Sequence, residues 1–127
     1  MTQQDKASAF RALHKHGSTL ILFNAWDAGS AQGVAKAGAA AIATGSWSIA
    51  AANGLPDGEK VDRNLHLETI RRIAQAVDLP LTADLESGFS VDAAGVGETV
   101  RLAIEAGAIG CNLGSEIAYW VGAKGGL

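Results

Sequence analysis

Short apolar runs recur along the chain and are separated by segments with helical periodicity. Residues 20–23 are apolar throughout, residues 39–44 and 108–113 are apolar apart from Thr44 and Asn112, and a further run opens at Pro80 and ends near Asp84. Runs of this length without polar interruption are typical of strands that are covered on both faces. We therefore predict four buried strands.

Capping residues and glycines mark the predicted helices between these runs. Thr2 and Asp5 resemble a capping box, which predicts a first helix to about residue 16. Asp27 and Asp62 are placed to cap two further helices, and residues 96–106 form another. In the helix after Asp62, the apolar positions Leu65, Ile70, Ile73 and Val77 are predicted to share one face.

Strands that alternate with helices predict an α/β fold with a parallel sheet and right-handed crossovers. Two architectures are compatible with this order. An open doubly wound sheet would be complete at 127 residues, whereas a (β/α)₈ barrel of about 250 residues would be half present. Periodicity alone leaves both open, and it assigns residues 45–61 to a polar loop.

Composition limits the classes of partner. Apolar residues make up 48% of the chain and charged residues 18%. The net charge is −3, and the sequence has no block of like charges. These values favour neither nucleic acid nor a membrane as partner, and no apolar run approaches the roughly 18 residues of a membrane span. The single cysteine, Cys111, is predicted to be a small buried core residue, and the lack of a secretory pattern favours the cytoplasm.

Carboxylates follow the third predicted strand. Asp84 and Glu86 are two residues apart, so they would point to the same side if the strand continued. Two adjacent carboxylates favour a cation such as Mg²⁺, which prefers oxygen ligands, and Asp57 from the preceding loop is a candidate third ligand. The structural alternative is that Asp84 caps a turn and Glu86 is solvated.

Small residues follow the second strand, and a tryptophan follows the first. Gly45, Ser46 and Trp47 present successive backbone N–H groups that suit an anion, although an ordinary turn has the same composition. Trp26 is interpreted either as part of a pocket or as a cover over the barrel mouth. His66, in the first turn of a predicted helix, is expected to be exposed.

Four segments together resemble the isocitrate lyase/phosphoenolpyruvate mutase superfamily, in particular its phosphonomutase-like and oxaloacetate-decarboxylase-like branch. They are Asn-Ala-Trp-Asp at 24–27, a loop from 44 that ends in Gly-Leu-Pro-Asp-Gly at 54–58, Leu-Thr-Ala-Asp-Leu-Glu-Ser-Gly-Phe at 81–89, and Ala-Gly-Ala-Ile-Gly-Cys-Asn-Leu at 106–113. The resemblance implies the first half of a (β/α)₈ TIM barrel that binds Mg²⁺ and a small α-oxo acid, and that makes or breaks C–C or P–C bonds through an enolate.

The resemblance also implies residue roles. Asp84 matches a direct metal ligand that also faces the substrate, and Asp57 and Glu86 match carboxylates that hold the metal's waters. The substrate-binding candidates, for a small carboxylate or phosphonate, are Trp26, Gly45, Ser46, Trp47 and Asp84.

The chain departs from the family pattern after Leu113. Gly114 and Ser115 stand where the family places a Glu-Asp pair, and the glycine-rich end of the chain does not resemble the family. We therefore expect residues 1–113 to form a half-barrel and residues 114–127 to form an unrelated tail. Such a truncated lyase or mutase is expected to have little activity alone. The alternative is a non-catalytic half-barrel. An exposed apolar inner face is expected to make the chain a homo-oligomer.

Overall fold

The computed structural model describes residues 1–114, which form five helices and four strands. In chain order the elements are α1 (Gln3–Leu13), β1 (Phe23–Ala25), α2 (Ala28–Lys36), β2 (Ile42–Thr44), α3 (Ser46–Ala52), α4 (Arg63–Ala76), β3 (Leu81–Asp84), α5 (Ala93–Glu105) and β4 (Gly110–Asn112).

The four strands form one parallel sheet in the order β1-β2-β3-β4. Phe23 pairs with Ile42, and Ile42 pairs with Leu81, so neighbours in space are also neighbours in sequence. An open doubly wound sheet reverses its strand order at a switch point, whereas a barrel adds each strand beside the previous one. The chain therefore has the architecture of the first half of a (β/α)₈ barrel, as predicted.

The helices begin where the sequence places their caps. Thr2 and Asp5 form a reciprocal capping box at α1, and the Asp27 side chain accepts a hydrogen bond from Ser30 N at the start of α2. The Asp62 side chain accepts a hydrogen bond from Asn64 N at the start of α4. The helix α5 begins at Ala93, three residues before the predicted start, because Asp92 rather than a later residue is its cap.

The core lies between the sheet and the layer formed by α2, α4 and α5. Ile42 and Leu81 from the sheet meet Ile70 and Ile73 from α4, and all four are at most 1% exposed. Full burial of such side chains contributes about 1.5–3 kcal/mol each. Packing on this face therefore fixes the positions of the strand ends.

The opposite face of the sheet is small and polar. Asn24, Ala43, Thr82 and Gly110 form one register row across all four strands, and side chains alternate between faces along a strand. The prediction of an apolar inner face is therefore wrong for this row of residues. Instead, the exposed apolar side chains include Ile21, 70% exposed, and Phe23, 58% exposed, at the β1 edge.

Three local predictions are also corrected. The segment 45–61 contains the helix α3, and the single cysteine, Cys111, is exposed and not buried. On α4, Leu65 is 43% exposed and His66 is buried in its place.

None of the helices in residues 1–114 has the length and apolar character needed to cross a membrane. The predicted tail from residue 114 lies almost wholly outside the described residues and stays a prediction.

Candidate active site at the ends of the second and third strands

Asp84 is the last residue of β3, and hydrogen bonds to its carboxylate and from its N–H hold it. Its Oδ2 accepts from Ser46 N at 3.1 Å, and its Oδ1 accepts from Glu86 N at 2.9 Å. Its own N–H donates to Thr44 Oγ1 at 2.9 Å. Each carboxylate oxygen has a second lone pair, so the carboxylate is oriented by the backbone and can still bind another donor or a cation.

Glu86 does not continue the strand. Its φ of 53° is left-handed, so the expectation that Asp84 and Glu86 share a side by strand alternation does not apply. The residue is only 9% exposed, and its Oε1 accepts from Glu59 N at 2.8 Å. Burial raises the pKa of the Glu86 carboxyl, and the nearby carboxylates of Asp57 and Glu59 raise it further. The predicted pair Asp57 and Glu86 is thus brought together, and Glu86 is not solvated.

Glu59 is a site residue that the sequence reasoning missed. Its Oε1 accepts hydrogen bonds from Ser87 N at 3.1 Å and Phe89 N at 3.0 Å, and also from Ser87 Oγ. The side chain therefore connects the loop before α4 to the loop after β3. A glutamate in a polar loop gives no sequence signal for such a contact.

His66 lies beneath the site and was also misjudged. Its side chain is 1% exposed, and Nε2 lies 2.8 Å from the carbonyl oxygen of Asp84, which can only accept, so Nε2 carries the proton. Its Nδ1 is buried and has no hydrogen-bond partner among the described residues. Burial lowers the pKa of the imidazole, which favours the neutral ring. The spacing of His66 from Ile70 and Ile73 was the available signal, because it fits the buried face of α4.

Gly45, Ser46 and Trp47 lie at the start of α3, next to Asp84. A Cβ on Gly45 would lie 2.8 Å from Asn24 Nδ2, so this position accepts only glycine without displacing Asn24. The N–H of Ser46 is engaged by the Asp84 carboxylate, while the indole of Trp47 is 69% exposed. The candidate substrate segment and the candidate metal ligand are therefore in direct contact.

Trp26 follows Ala25, the last residue of β1, which pairs with Thr44 at the end of β2. Its backbone N–H donates to Ser30 Oγ at 3.0 Å, and its side chain is 43% exposed. In residues 1–114 no hydrogen bond joins it to Asp84 or Glu86. Its placement is compatible with either of the two interpretations, pocket wall or cover.

The carboxylate side chains at these strand ends are the kind of ligand that a hard cation prefers. Asp57, Glu59, Asp84 and Glu86 are all oxygen donors, and none of them forms an ion pair with Lys or Arg within residues 1–114. Buried carboxylates are usually paired or bound to a metal. No three His, Cys, Asp or Glu side chains in that range are arranged as a complete metal cage. This arrangement fits Mg²⁺, which keeps several waters and uses one or two carboxylates.

A parallel half-barrel with carboxylates beyond its strand ends defines the class of (β/α)₈ barrel enzymes, whose chemistry lies at that end. Residues 10–120 match the phosphoenolpyruvate phosphomutase family, and the chain belongs to that family. The match extends past residue 113, where the tail was predicted to begin.

Individual relatives agree with this assignment. A protein from Burkholderia cenocepacia J2315, provisionally named a phosphonomutase, is 54% identical with a TM-score of 0.85 over 88% of this chain and 44% of its own. A phosphonopyruvate hydrolase solved with oxalate and Mg²⁺ is 30% identical with a TM-score of 0.76 over 85% of this chain and 37% of its own. The 2-methylisocitrate lyase of Escherichia coli K12 is 34% identical over 92% of this chain. The chain spans only 40% of that lyase's length.

Proposed function

We propose that this chain provides part of a Mg²⁺-dependent lyase or mutase site for small α-oxo acids. The observation that carries the proposal is the contact of Glu86 with both Asp84, through its N–H, and Asp57, through its carboxyl group. Glu86 is buried and forms no ion pair with a Lys or Arg within residues 1–114. The hydrolase solved with oxalate and Mg²⁺ supports the same ligand chemistry, since oxalate resembles the enolate of an α-oxo acid.

In this proposal Asp84 binds the metal directly, and Asp57 and Glu86 hold the waters around it. The metal, when bound, neutralises the negative charge that develops on the enolate oxygen. The segment that contains Gly45 and Ser46 then orients the substrate's carboxylate or phosphonate beside Asp84, to which the Ser46 N–H already donates. Trp47 and Trp26 provide apolar surface that excludes water from one side of the substrate.

Isothermal titration with Mg²⁺ and oxalate tests the proposal. We expect Mg²⁺ to bind more tightly when oxalate is present, and Asp84→Asn to abolish this binding. Asp78→Asn is the matched control, because Asp78 is 68% exposed and pairs with Lys6 away from the site. No binding, or equal binding by Asp84→Asn, would contradict the proposal.

We expect little turnover from this chain, because Gly114 stands where the family places an acidic residue. The assay is decarboxylation of oxaloacetate at saturating Mg²⁺. Efficient turnover that is lost in Asp84→Asn would show that the site is complete as it stands.

The second candidate is a non-catalytic half-barrel whose copies associate. An apolar groove of about 400 Å³ at the β1 edge is lined by Ile21, Phe23, Val34 and Ala37, and it favours this role. A contiguous apolar surface of this kind is a typical interaction site.

Sedimentation at micromolar concentration tests the second candidate. We expect an oligomer that Phe23→Ser converts to monomer, while Val91→Ser has no effect because Val91 is fully exposed outside this groove. A compact, cooperatively folded monomer of 12.9 kDa would exclude self-association. Phe23→Ser should leave Mg²⁺ binding unaffected, so the experiment separates self-association from metal binding.

A further inference from the structure

Two loops, 57–60 and 86–89, hold each other through Glu59. Its carboxylate accepts from the N–H groups of Ser87 and Phe89 and from the Ser87 hydroxyl, and its own N–H donates to Glu86 Oε1. One residue therefore fixes the backbone of the second loop and, through a separate atom, the carboxylate of Glu86. We call this set of contacts the Glu59 clasp.

We propose that Glu59 is a positioning residue, whose clasp holds the Glu86 carboxylate next to that of Asp57, just beyond the end of β3. The role of Glu86 rests on the proposed function, whereas the clasp itself does not. Glu59 bonds no reacting group in this arrangement. Its effect passes through the 86–89 backbone and through the hydrogen bond from its own N–H.

The backbone of both loops supports this assignment. Glu59, Glu86 and Phe89 have φ values of 56°, 53° and 54°, a region that non-glycine residues rarely adopt. In each loop a left-handed glycine, Gly58 or Gly88, precedes one of these residues. Conformations of this kind persist only when surrounding contacts determine them, and they concentrate at functional sites. The clasp supplies those contacts.

The chemistry of the clasp calls for a carboxylate of this length. Three donors converge on Glu59 Oε1, and an ionised acceptor makes hydrogen bonds about twice as strong as a neutral one. Aspartate is one methylene shorter, so it cannot reach the same donors without moving a loop. Glutamine keeps an oxygen acceptor but loses the charge, which makes Glu59→Gln the conservative variant.

Amide hydrogen exchange tests the clasp without any metal. In Glu59→Ala we expect exchange at Ser87 and Phe89 to rise about tenfold or more, and in Glu59→Gln by less. Glu105→Gln is the control, because Glu105 is an exposed helix residue that pairs only with Arg101. Ser87→Ala removes one donor and leaves Glu59 intact, so it covers the case in which Glu59→Ala does not fold. If amide protection at Phe89 is unchanged in Glu59→Ala, or in Ser87→Ala where Glu59→Ala does not fold, the clasp is overturned.

The carboxyl ¹³C shift of Glu86 at pH 7 and the affinity for Mg²⁺ test the positioning role. We expect Glu59→Ala to move that shift and to weaken Mg²⁺ binding about 10- to 100-fold, the usual effect of losing a group that orients a metal ligand. Glu59→Gln should retain part of the affinity. An unmoved Glu86 shift, or unweakened binding in Glu59→Ala, would overturn the positioning role. If the unmodified chain binds no Mg²⁺ but the Glu86 shift still moves, the proposed function fails and the positioning role stands.

Discussion

The helix-facing layer consists of buried apolar side chains, whereas the strand-end loops consist of acidic groups on strained backbone. In the layer, Ile42, Leu81, Ile70 and Ile73 are buried and pair with other apolar side chains. In the loops, backbone positions are strained and acidic groups lie together, with one carboxylate buried. Burial of apolar side chains in the layer stabilises the fold, whereas the strained backbone of the loops destabilises it and holds the acidic groups in a fixed arrangement. Stability and the candidate chemistry therefore reside in separate parts of the molecule.

The strongest test of this separation is a cavity in the layer. Ile70→Ala should lower the free energy of unfolding by about 2–5 kcal/mol, because Ile70 is fully buried against the sheet. Leu65→Ala, on the same helix but 43% exposed, should cost much less. Denaturant unfolding measures both. Equal losses in the two variants would mean that the buried face of α4 is assigned wrongly.

A smaller loss is expected from a substitution in the strained loop. At Gly88 the φ is 93°, and a Cβ would lie 2.8 Å from both γ-carbons of Val96. Gly88→Ala should therefore cost about 1–3 kcal/mol and also weaken Mg²⁺ binding. Gly97→Ala is the control, since a Cβ there meets nothing within 4 Å and alanine favours a helix. Thermal unfolding compares the pair, and an unaffected Gly88→Ala would show that the loop is not strained.

The dependence on pH connects the two regions through His66. Burial lowers the pKa of His66 in the folded chain, so below a pH of about 6.5 the unfolded chain binds a proton that the folded chain does not. This contribution is complete above that pH and is lost as the pH falls, at most about 1.4 kcal/mol per unit. His66→Gln keeps a donor for the Asp84 carbonyl but does not titrate. Its stability profile from pH 7 to 5 should be flatter, and an equal slope would contradict the buried neutral ring.

The sequence predicted the helix-facing layer better than the loops because its signals are local. The caps at Thr2, Asp27 and Asp62 and the strand that ends at Asp84 are all found. Each depends on residues a few positions apart. Sheet order was left open, since it depends on contacts between distant strands.

The loops depend on contacts that no short pattern encodes. Glu59 reaches Ser87 and Phe89 across about thirty residues, and the left-handed backbone at Glu86 turns it out of strand alternation. Cys111 was predicted to be buried, but exposure depends on what packs beside β4. Such features follow from the assembled fold and not from the residue types.

The most direct measurement is paramagnetic broadening of NMR signals by substoichiometric Mn²⁺, which replaces Mg²⁺ at oxygen sites. We predict that the strongest broadening falls on Ser46, Asp84 and Glu86, that Asp84→Asn removes it, and that Asp78→Asn does not. Residues far from the strand ends, such as those of α1, should be broadened less. Broadening centred elsewhere, or broadening that persists in Asp84→Asn, would contradict a metal site at the ends of β2 and β3.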